Sequence, residues 1–420
     1  MTERLQATYL IETPLAPARA AEVLAGEQSS GTFVAVPGET EALRDRFRAR
    51  VETIIERETV ATPSLPGGKG GGAFHRAEVT VSWSVENFGH NLPTLVSTVC
   101  GNLYELREFS GLKLLDLELP PSFAERFRGP RFGVAGTRRL VGRAEGPLVG
   151  TIIKPSVGLT PGQTAALVAE LARAGADFVK DDELMANPPH SPLKERVSAV
   201  MRVIREAAER TGKKVMYAFN ISDEVDAMLR HYECVRDAGG TAVMMSLNSV
   251  GLSGVKRVCD EGALAVHGHR NGWGALNRHP LLGIDFRAYQ KLWRLAGVDH
   301  LHVNGIANKF WESDDSVVAS IKACLTPLFG GGGRDDRALP VVSSGQTGLQ
   351  APETYRRTGT VDLLYMAGGG IMAHPGGPAA GVAALRQAWE AAVAGIPLAD
   401  HAKRHEPLRQ TLDKFGGGTA

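Results

Sequence analysis

The chain has 420 residues, 43% of them hydrophobic and 22% charged, with a formal charge of +1, so it can bury at least one large core, and two domains, one of them large, are expected. No Lys/Arg block interleaved with aromatics appears, which excludes a nucleic-acid footprint and leaves any anionic ligand to a local site. The four cysteines form no CxxC pair, and no leader or long apolar span occurs, so a protein of the reducing cytoplasm that does not enter the membrane is expected.

Residues 1–128 read as a small α+β domain. The runs Leu5 to Glu12, Thr32 to Pro37, Arg76 to Trp83 and Leu92 to Val99 have the apolar patterning of strands, and Thr40 to Arg57 has the periodicity of a helix. Pro63 to Gly71 is a loop by composition. Its glycines and Lys69 lack the GKS or GKT ending of a phosphate-binding P-loop.

Within residues 129–420 the pattern changes to short β-branched runs separated by longer helical stretches. Eight such runs occur: Leu148 to Lys154, Phe178 to Glu183, Lys214 to Asn220, Ala242 to Asn248, Ala263 to His269, His300 to Asn304, Pro340 to Gly345 and Asp362 to Ala367. Pro161 to Ala174, Leu193 to Arg210, Asp223 to Arg236 and Pro378 to Val393 are among the intervening helices. This is the expected form of a (β/α)8 barrel. A doubly wound sheet is the main rival, but no GxGxxG follows the first strand.

In each run the apolar residues come first and the polar group arrives at the C-terminal end. Lys154, the Lys180–Glu183 segment, Asn220, Asn248, His267 with His269, His302, Ser344 and Gly368 to Gly370 hold these positions in turn, on the rim where barrel enzymes assemble their sites. Along a strand, Lys180 and Asp182 share a face, Asp181 points to the other, and Glu183 can turn inward where the strand ends. Two hard oxygen donors suit Mg²⁺. Lys180 beside them is either a counter-ion or, after reaction with CO2, a carbamate that supplies a third oxygen ligand, and the pattern alone leaves the two readings comparable. The HxH pair, His267 and His269, also admits a Zn²⁺ hydrolase.

Gly175-Ala-Asp-Phe-Val-Lys-Asp-Asp-Glu183 resembles the metal-site segment of the RuBisCO large subunit, and Gly150-Thr-Ile-Ile-Lys-Pro155 resembles its catalytic-lysine segment. His267-Gly-His-Arg270, Asp299-His-Leu-His302, Lys309, Ser344-Gly345 and Gly368-Gly-Gly370 follow in family order, and Glu27-Gln-Ser-Ser-Gly-Thr32 and Gly101-Asn102 resemble two N-terminal segments that complete a neighbouring subunit's site. The resemblance, to the RuBisCO-like (form IV) proteins of that family, implies a TIM barrel behind a ferredoxin-like domain. It implies Mg²⁺ held by carbamylated Lys180, Asp182 and Glu183, with Lys154 and His269 as proton-transfer groups and Lys309 closing over substrate. Arg270 and His302, with Ser344 and Gly345 nearby, would hold one phosphate; Gly368, Gly369 and Thr32 match the other phosphate site; Glu27 and Asn102 would reach in from the partner of a homodimer or an assembly of dimers, with no small subunit.

Departures from the carboxylase pattern are Ser156 for a second lysine, Phe33 for a tryptophan, Gln346 for a glycine, Met366-Ala367 before the glycines and Asn308 before Lys309. They alter the phosphate pocket around Phe33 and Gln346 and the CO2-handling region while Arg270 and His302 keep the other phosphate site, so one phosphate with a different group at the other end is expected and a bisphosphate carboxylase is not. The resemblance points to an enediolate-forming enzyme that decarboxylates a phosphorylated 3-oxo sugar acid of the 3-oxo-isoapionate 4-phosphate type. The alternatives are a 2,3-diketo-5-methylthiopentyl-1-phosphate enolase or a methylthioribulose-1-phosphate isomerase of methionine salvage. A non-catalytic binding or regulatory protein on the same fold stays open as a different class.

Overall fold

The computed structural model describes residues 3–30, 37–68, 72–330 and 335–417. Its strands are β1 (Arg4–Thr13), β2 (Arg50–Val60), β3 (Phe74–Ser84), β4 (Gly111–Glu118), β5 (Leu148–Ile152), β6 (Phe178–Lys180), β7 (Met216–Asn220), β8 (Ala242–Ser246), β9 (Ala265–His269), β10 (Leu282–Ile284), β11 (His300–His302), β12 (Leu339–Val342) and β13 (Leu364–Met366). The chain divides into two compact units. One takes the residues up to Arg128 together with Gly272–Leu295 and a short stretch from Leu328, and the other takes the remainder.

The first unit is built on a sheet of order β10-β4-β1-β3-β2. Strands β1 to β4 pair antiparallel in the ferredoxin-like order, with β1 between β4 and β3. Strict alternation in β1 buries Leu5, Ala7, Tyr9 and Ile11.

Two segments differ from the sequence expectation. Leu92–Val99 is a helix, because the Asn91 side chain accepts the Thr94 N–H at 2.9 Å and Pro93 occupies the first turn. Its buried Leu92, Leu95 and Val99 follow helical rather than strand spacing. The helix capped by Thr40 stops at Phe47, and the β-branched residues Val51, Thr53, Ile54 and Ile55 pair with β3 instead of continuing it. Thr32 to Pro37, read as a strand, lies almost wholly outside the described residues.

Strand β10 comes from far along the chain and pairs in parallel with β4. Lys113 of β4, 7% exposed, donates to the carbonyls of Asn277 and His279 at 3.0 and 2.9 Å, and Tyr104 donates to that of Gly283 at 2.8 Å. Gly283 has φ +96°, and a Cβ there would lie 1.8 Å from the Leu276 carbonyl oxygen, so only glycine fits.

The second unit is a closed barrel of eight parallel strands, β5 to β9 and β11 to β13, with helices between them as expected. Leu148, Phe178, Met216, Ala218, Met244, Leu339, Val341, Leu364 and Met366 form its interior. Val134 and Val141, from the helix Gly133–Val141, pack against the same interior. Asp299, just before β11, fixes that helix by accepting the Phe132 and Gly133 N–H groups at 2.6 and 2.9 Å, and it also accepts that of Val266 at 2.8 Å. Within the family-like Asp299–His302 motif, Asp299 is thus a structural residue and the chemistry-bearing groups lie at the other ends of the strands.

Candidate active site

Lys154 follows β5 and donates through Nζ to Asp182 Oδ2 and to Ser156 Oγ, both at 2.7 Å. Lys180, the last residue of β6, is 1% exposed. Its Nζ donates to the Asp181 carbonyl at 2.9 Å and lies 3.6 Å from Glu183 Oε2. Burial is the largest influence on Lys180 and lowers its pKa, against the opposing pull of Glu183 and Asp182. Such an amine is more readily neutral, which is the form that reacts with CO2. Among the described residues, no three His, Cys, Asp or Glu side chains are placed to hold a metal ion. Asp182 and Glu183 supply two carboxylates, and a carbamate on Lys180 is the group that would bring a third anionic oxygen donor to a set that suits Mg²⁺.

Asp181 points away from this cluster, as strand alternation requires. It accepts from the Tyr217 hydroxyl at 2.5 Å, the Asn220 N–H at 2.9 Å and Arg196 Nε at 3.2 Å. Arg196, fully buried, also donates to the carbonyls of Ser191, Met185 and Ala186 and so braces the loop after β6. Asn220, at the end of β7, donates to the Asp182 and Glu183 carbonyls, both at 3.1 Å. The backbone of the Lys180–Glu183 segment is therefore held from two sides by groups that carry none of its chemistry.

His269 at the end of β9 has Nε2 3.6 Å from Glu183 Oε2, and its Nδ1 accepts the Asn271 N–H at 3.3 Å. Burial, then the charge of Lys180, pushes its pKa down to about 4, so the ring is neutral near pH 7. With Nδ1 accepting, that neutral ring carries its proton on Nε2. His302 is engaged on both sides: Nε2 meets His267 Nε2 at 2.8 Å, and Nδ1 meets Ser343 Oγ at 3.1 Å. Burial lowers the pKa of both His267 and His302.

Arg270 Nη2 lies 2.6 Å from Glu312 Oε2, with both residues buried. Glu312 also accepts from Asn304 at 2.6 Å and from Ser316 at 2.9 Å, and Ser344 Oγ donates to Asn304 Oδ1 at 2.8 Å. Lys309 is exposed, with its ammonium 5.2 Å from the centre of the Phe310 ring. Gln346 is buried, donating to the Ile306 carbonyl and accepting from the Tyr365 hydroxyl, each at 3.1 Å.

The three glycines after β13 are not equivalent. A Cβ on Gly370 would meet the Gln346 carbonyl oxygen at 2.6 Å, whereas one on Gly369 would meet nothing within 4 Å and one on Gly368 only Ile152 Cδ1 at 3.8 Å. Packing thus requires the third glycine, while the first two leave open room in which a ligand can approach the backbone.

In the other unit, Asn102 Nδ2 and Glu27 Oε1 are 3.4 Å apart. Thr32, Phe33 and Lys69 lie outside the described residues. Sequence reasoning did not single out Glu312, Arg196 or Tyr217. Glu312, three residues after Lys309, is the first acid of the run Glu312-Ser-Asp-Asp315 and nothing local sets it apart from the two that follow, and Arg196 and Tyr217 sit within ordinary apolar patterns.

The family model for the ribulose bisphosphate carboxylase large chain, catalytic domain, matches residues 133–329 and 333–415, and that for its N-terminal domain matches residues 5–123. The chain is 55% identical to a 3-oxo-isoapionate-4-phosphate transcarboxylase/hydrolase of Xanthobacter autotrophicus, over 98% of this chain and 99% of that protein. It is 48% identical to a 3-oxo-isoapionate-4-phosphate decarboxylase of Rhizobium etli, over 98% of each. A crystal structure of a rubisco-like protein from Burkholderia fungorum superposes with a TM-score of 0.92 at 50% identity, covering 98% of this chain and 100% of that one. With both family domains matched in order and relatives of this kind along its whole length, the chain belongs to the RuBisCO large-chain family and is one of its RuBisCO-like enzymes.

Proposed function

We propose that this enzyme, with Mg²⁺ and a carbamylated Lys180, cleaves the carboxylate from a phosphorylated 3-oxo sugar acid of the 3-oxo-isoapionate 4-phosphate type. The observation that carries the reading is the convergence of Lys154 Nζ on Asp182 at 2.7 Å, beside the buried Lys180 and the half-buried Glu183. A carboxylate placed β to a ketone departs as CO2 when the electron pair of the breaking bond flows toward the ketone oxygen. Lys180 as its carbamate, Asp182 and Glu183 would hold the metal, which when bound would supply a Lewis acid on the side where that negative charge gathers. Lys154 holds the proton that returns to carbon, with Ser156 and Asp182 fixing the position of its Nζ. His269 is the second proton-transfer group, its Nε2–H turned toward the Glu183 side of the site. Lys309 closes over the substrate.

The substrate's single phosphate has two candidate ends, Arg270 with His302, Ser344 and Gly345, or Gly368 and Gly369 with Thr32. The departures at Phe33 and Gln346 fall at the glycine end and leave Arg270 and His302 in place, which favours the Arg270 end for the phosphate and a different group at the glycine end. The exposed pair Glu27 and Asn102 fits a role in completing a partner subunit's site, so a homodimer or an assembly of dimers is proposed. Four free cysteines fit the reducing cytoplasm, and among the described residues no helix is long and apolar enough to cross a membrane.

The transcarboxylase/hydrolase reading shares the same first cleavage and is favoured by the 55% identity to the Xanthobacter protein. NMR of the enzyme with Mg²⁺, bicarbonate and carboxyl-¹³C-labelled 3-oxo-isoapionate 4-phosphate separates the two. Label released as CO2 identifies the decarboxylase, and label retained in a new carboxylate identifies the transcarboxylase. No turnover, or turnover that survives Lys180→Ala, refutes both.

A further inference from the structure

Among the described residues only three non-glycine residues have positive φ: Asn304 at 61°, Ala307 at 47° and Ser344 at 74°. All three lie in or against the loop that carries Lys309. Backbone of this kind is costly and persists only where its surroundings over-determine it; Ala307 donates its N–H to Asp314 at 2.8 Å, and the contacts of Asn304 and Ser344 lead to one carboxylate, Glu312. Glu312, with its side chain fully buried, accepts from Arg270, Asn304 and Ser316. Asn304 in turn accepts the Ser344 hydroxyl, and the Ser344 carbonyl accepts the Lys309 N–H at 3.2 Å. On the other side, Asn308 Nδ2 donates to the Gly305 and Glu312 carbonyls, both at 3.0 Å. A continuous chain of contacts therefore runs from the Arg270 guanidinium at the end of β9, through Glu312, to the backbone of Lys309.

We infer that Glu312 is a positioning residue for Lys309, itself held in place by its contacts with Arg270, Asn304 and Ser316. The inference rests on the proposed role of Lys309 in closing over substrate. Glu312 touches no reacting atom. It fixes the root of the loop so that the exposed tip, Lys309 to Trp311, starts from one defined geometry.

Glu312→Gln is the variant to make, since it keeps the size and one acceptor oxygen while removing the charge that Arg270 and Asn304 share. Two measurements are paired. Hydrogen exchange of the intact protein without substrate is expected to rise at residues 303–313, with the β5 to β8 strands unchanged. Steady-state turnover of 3-oxo-isoapionate 4-phosphate is expected to fall about 10- to 100-fold in kcat with KM within about threefold. In the Lys309→Ala background the same substitution is expected to change kcat by less than about twofold, because the group it positions is gone.

Multiplicative losses in the double variant overturn the inference, as does unchanged exchange at 303–313. A large rise in KM with kcat intact also overturns it, since that result makes Glu312 act on substrate binding rather than on the placement of Lys309. If exchange rises as expected but the wild-type enzyme turns over neither label nor substrate, the loop-anchoring part stands and the proposed reaction fails. Arg270→Gln provides the second variant, and it is expected to reproduce the exchange change of Glu312→Gln.

Discussion

Asp181→Asn tests the support behind the metal segment. Among the described residues Asp181 is the one carboxylate paired with Arg196, and both are buried, at 1% and 0% exposure. The substitution leaves the guanidinium with its carbonyl partners but no counter-charge, a change that costs about 3–5 kcal/mol when one member of a buried pair is removed. Unfolding entropy near the melting point is about 2.1 cal/mol/K per residue, so a barrel of roughly 260 residues loses about 5–9 °C in Tm for that penalty. Removing both charges with Asp181→Asn and Arg196→Met is expected to recover about half or more of the loss, because the desolvated, uncompensated charge is then gone. The assay is a thermal melt followed by circular dichroism at fixed scan rate, with turnover measured well below the transition. Turnover in the single variant is expected to fall as well, since Asp181 lies between Lys180 and Asp182 and its loss frees both. A single variant that melts within about 1 °C of wild type refutes the reasoning, as does a double variant less stable than the single.

Gly369→Val is expected to leave the melting temperature close to wild type, because a Cβ there meets nothing within 4 Å, while raising KM about tenfold or more if the ligand occupies that space; an unchanged KM removes the glycine end from the site. Burial holds His300, which meets Thr137 Oγ1 at 2.8 Å, down to about pKa 3. Because the folded pKa lies below the unfolded value, His300 favours the fold above the unfolded pKa, and this contribution is lost as the pH falls from about 6.5 toward 3. Urea titrations at a series of pH values are expected to show His300→Gln losing less stability than wild type over that window; parallel curves would show that His300 contributes nothing to the acid sensitivity.

The barrel was legible because its strands are short and mostly apolar and most of them lead into a polar group at the C-terminal end, where a parallel barrel assembles its site. The first unit was harder to read. Leu92-Pro-Thr-Leu-Val-Ser-Thr-Val99 is β-branched enough to pass for a strand, and the deciding signals, the Asn91 cap and Pro93, occupy single positions. Strand β4 carries four leucines and a lysine, Leu112, Lys113, Leu114, Leu115 and Leu117, and only pairing with β1 and β10 makes it extended. At the site, the strand-end positions of Lys154, Lys180 and His269 could be read from order alone. The Arg270–Glu312 contact could not, since the partners are 42 residues apart and no local pattern encodes which long-range partner a charged side chain meets. The same holds for His302, whose neighbours arrive from β9 and from the end of β12.

The parallel pairing of β10 with β4 has a consequence for how the chain can be cut and made. A ribosome has to deliver residue 284 before the β4 edge is covered, and by then β5 to β9 have already left the tunnel. Until that point the open edge of β4 offers unpaired N–H and C=O groups to any passing strand. A gene fragment ending at Arg128 would encode the ferredoxin-like order without its fifth strand, and would leave Lys113 without the Asn277 and His279 carbonyls that hold it. The ferredoxin-like unit is thus contiguous in space but not along the chain, and it is finished by an excursion from between two barrel strands, which ties completion of the first unit to synthesis of the second.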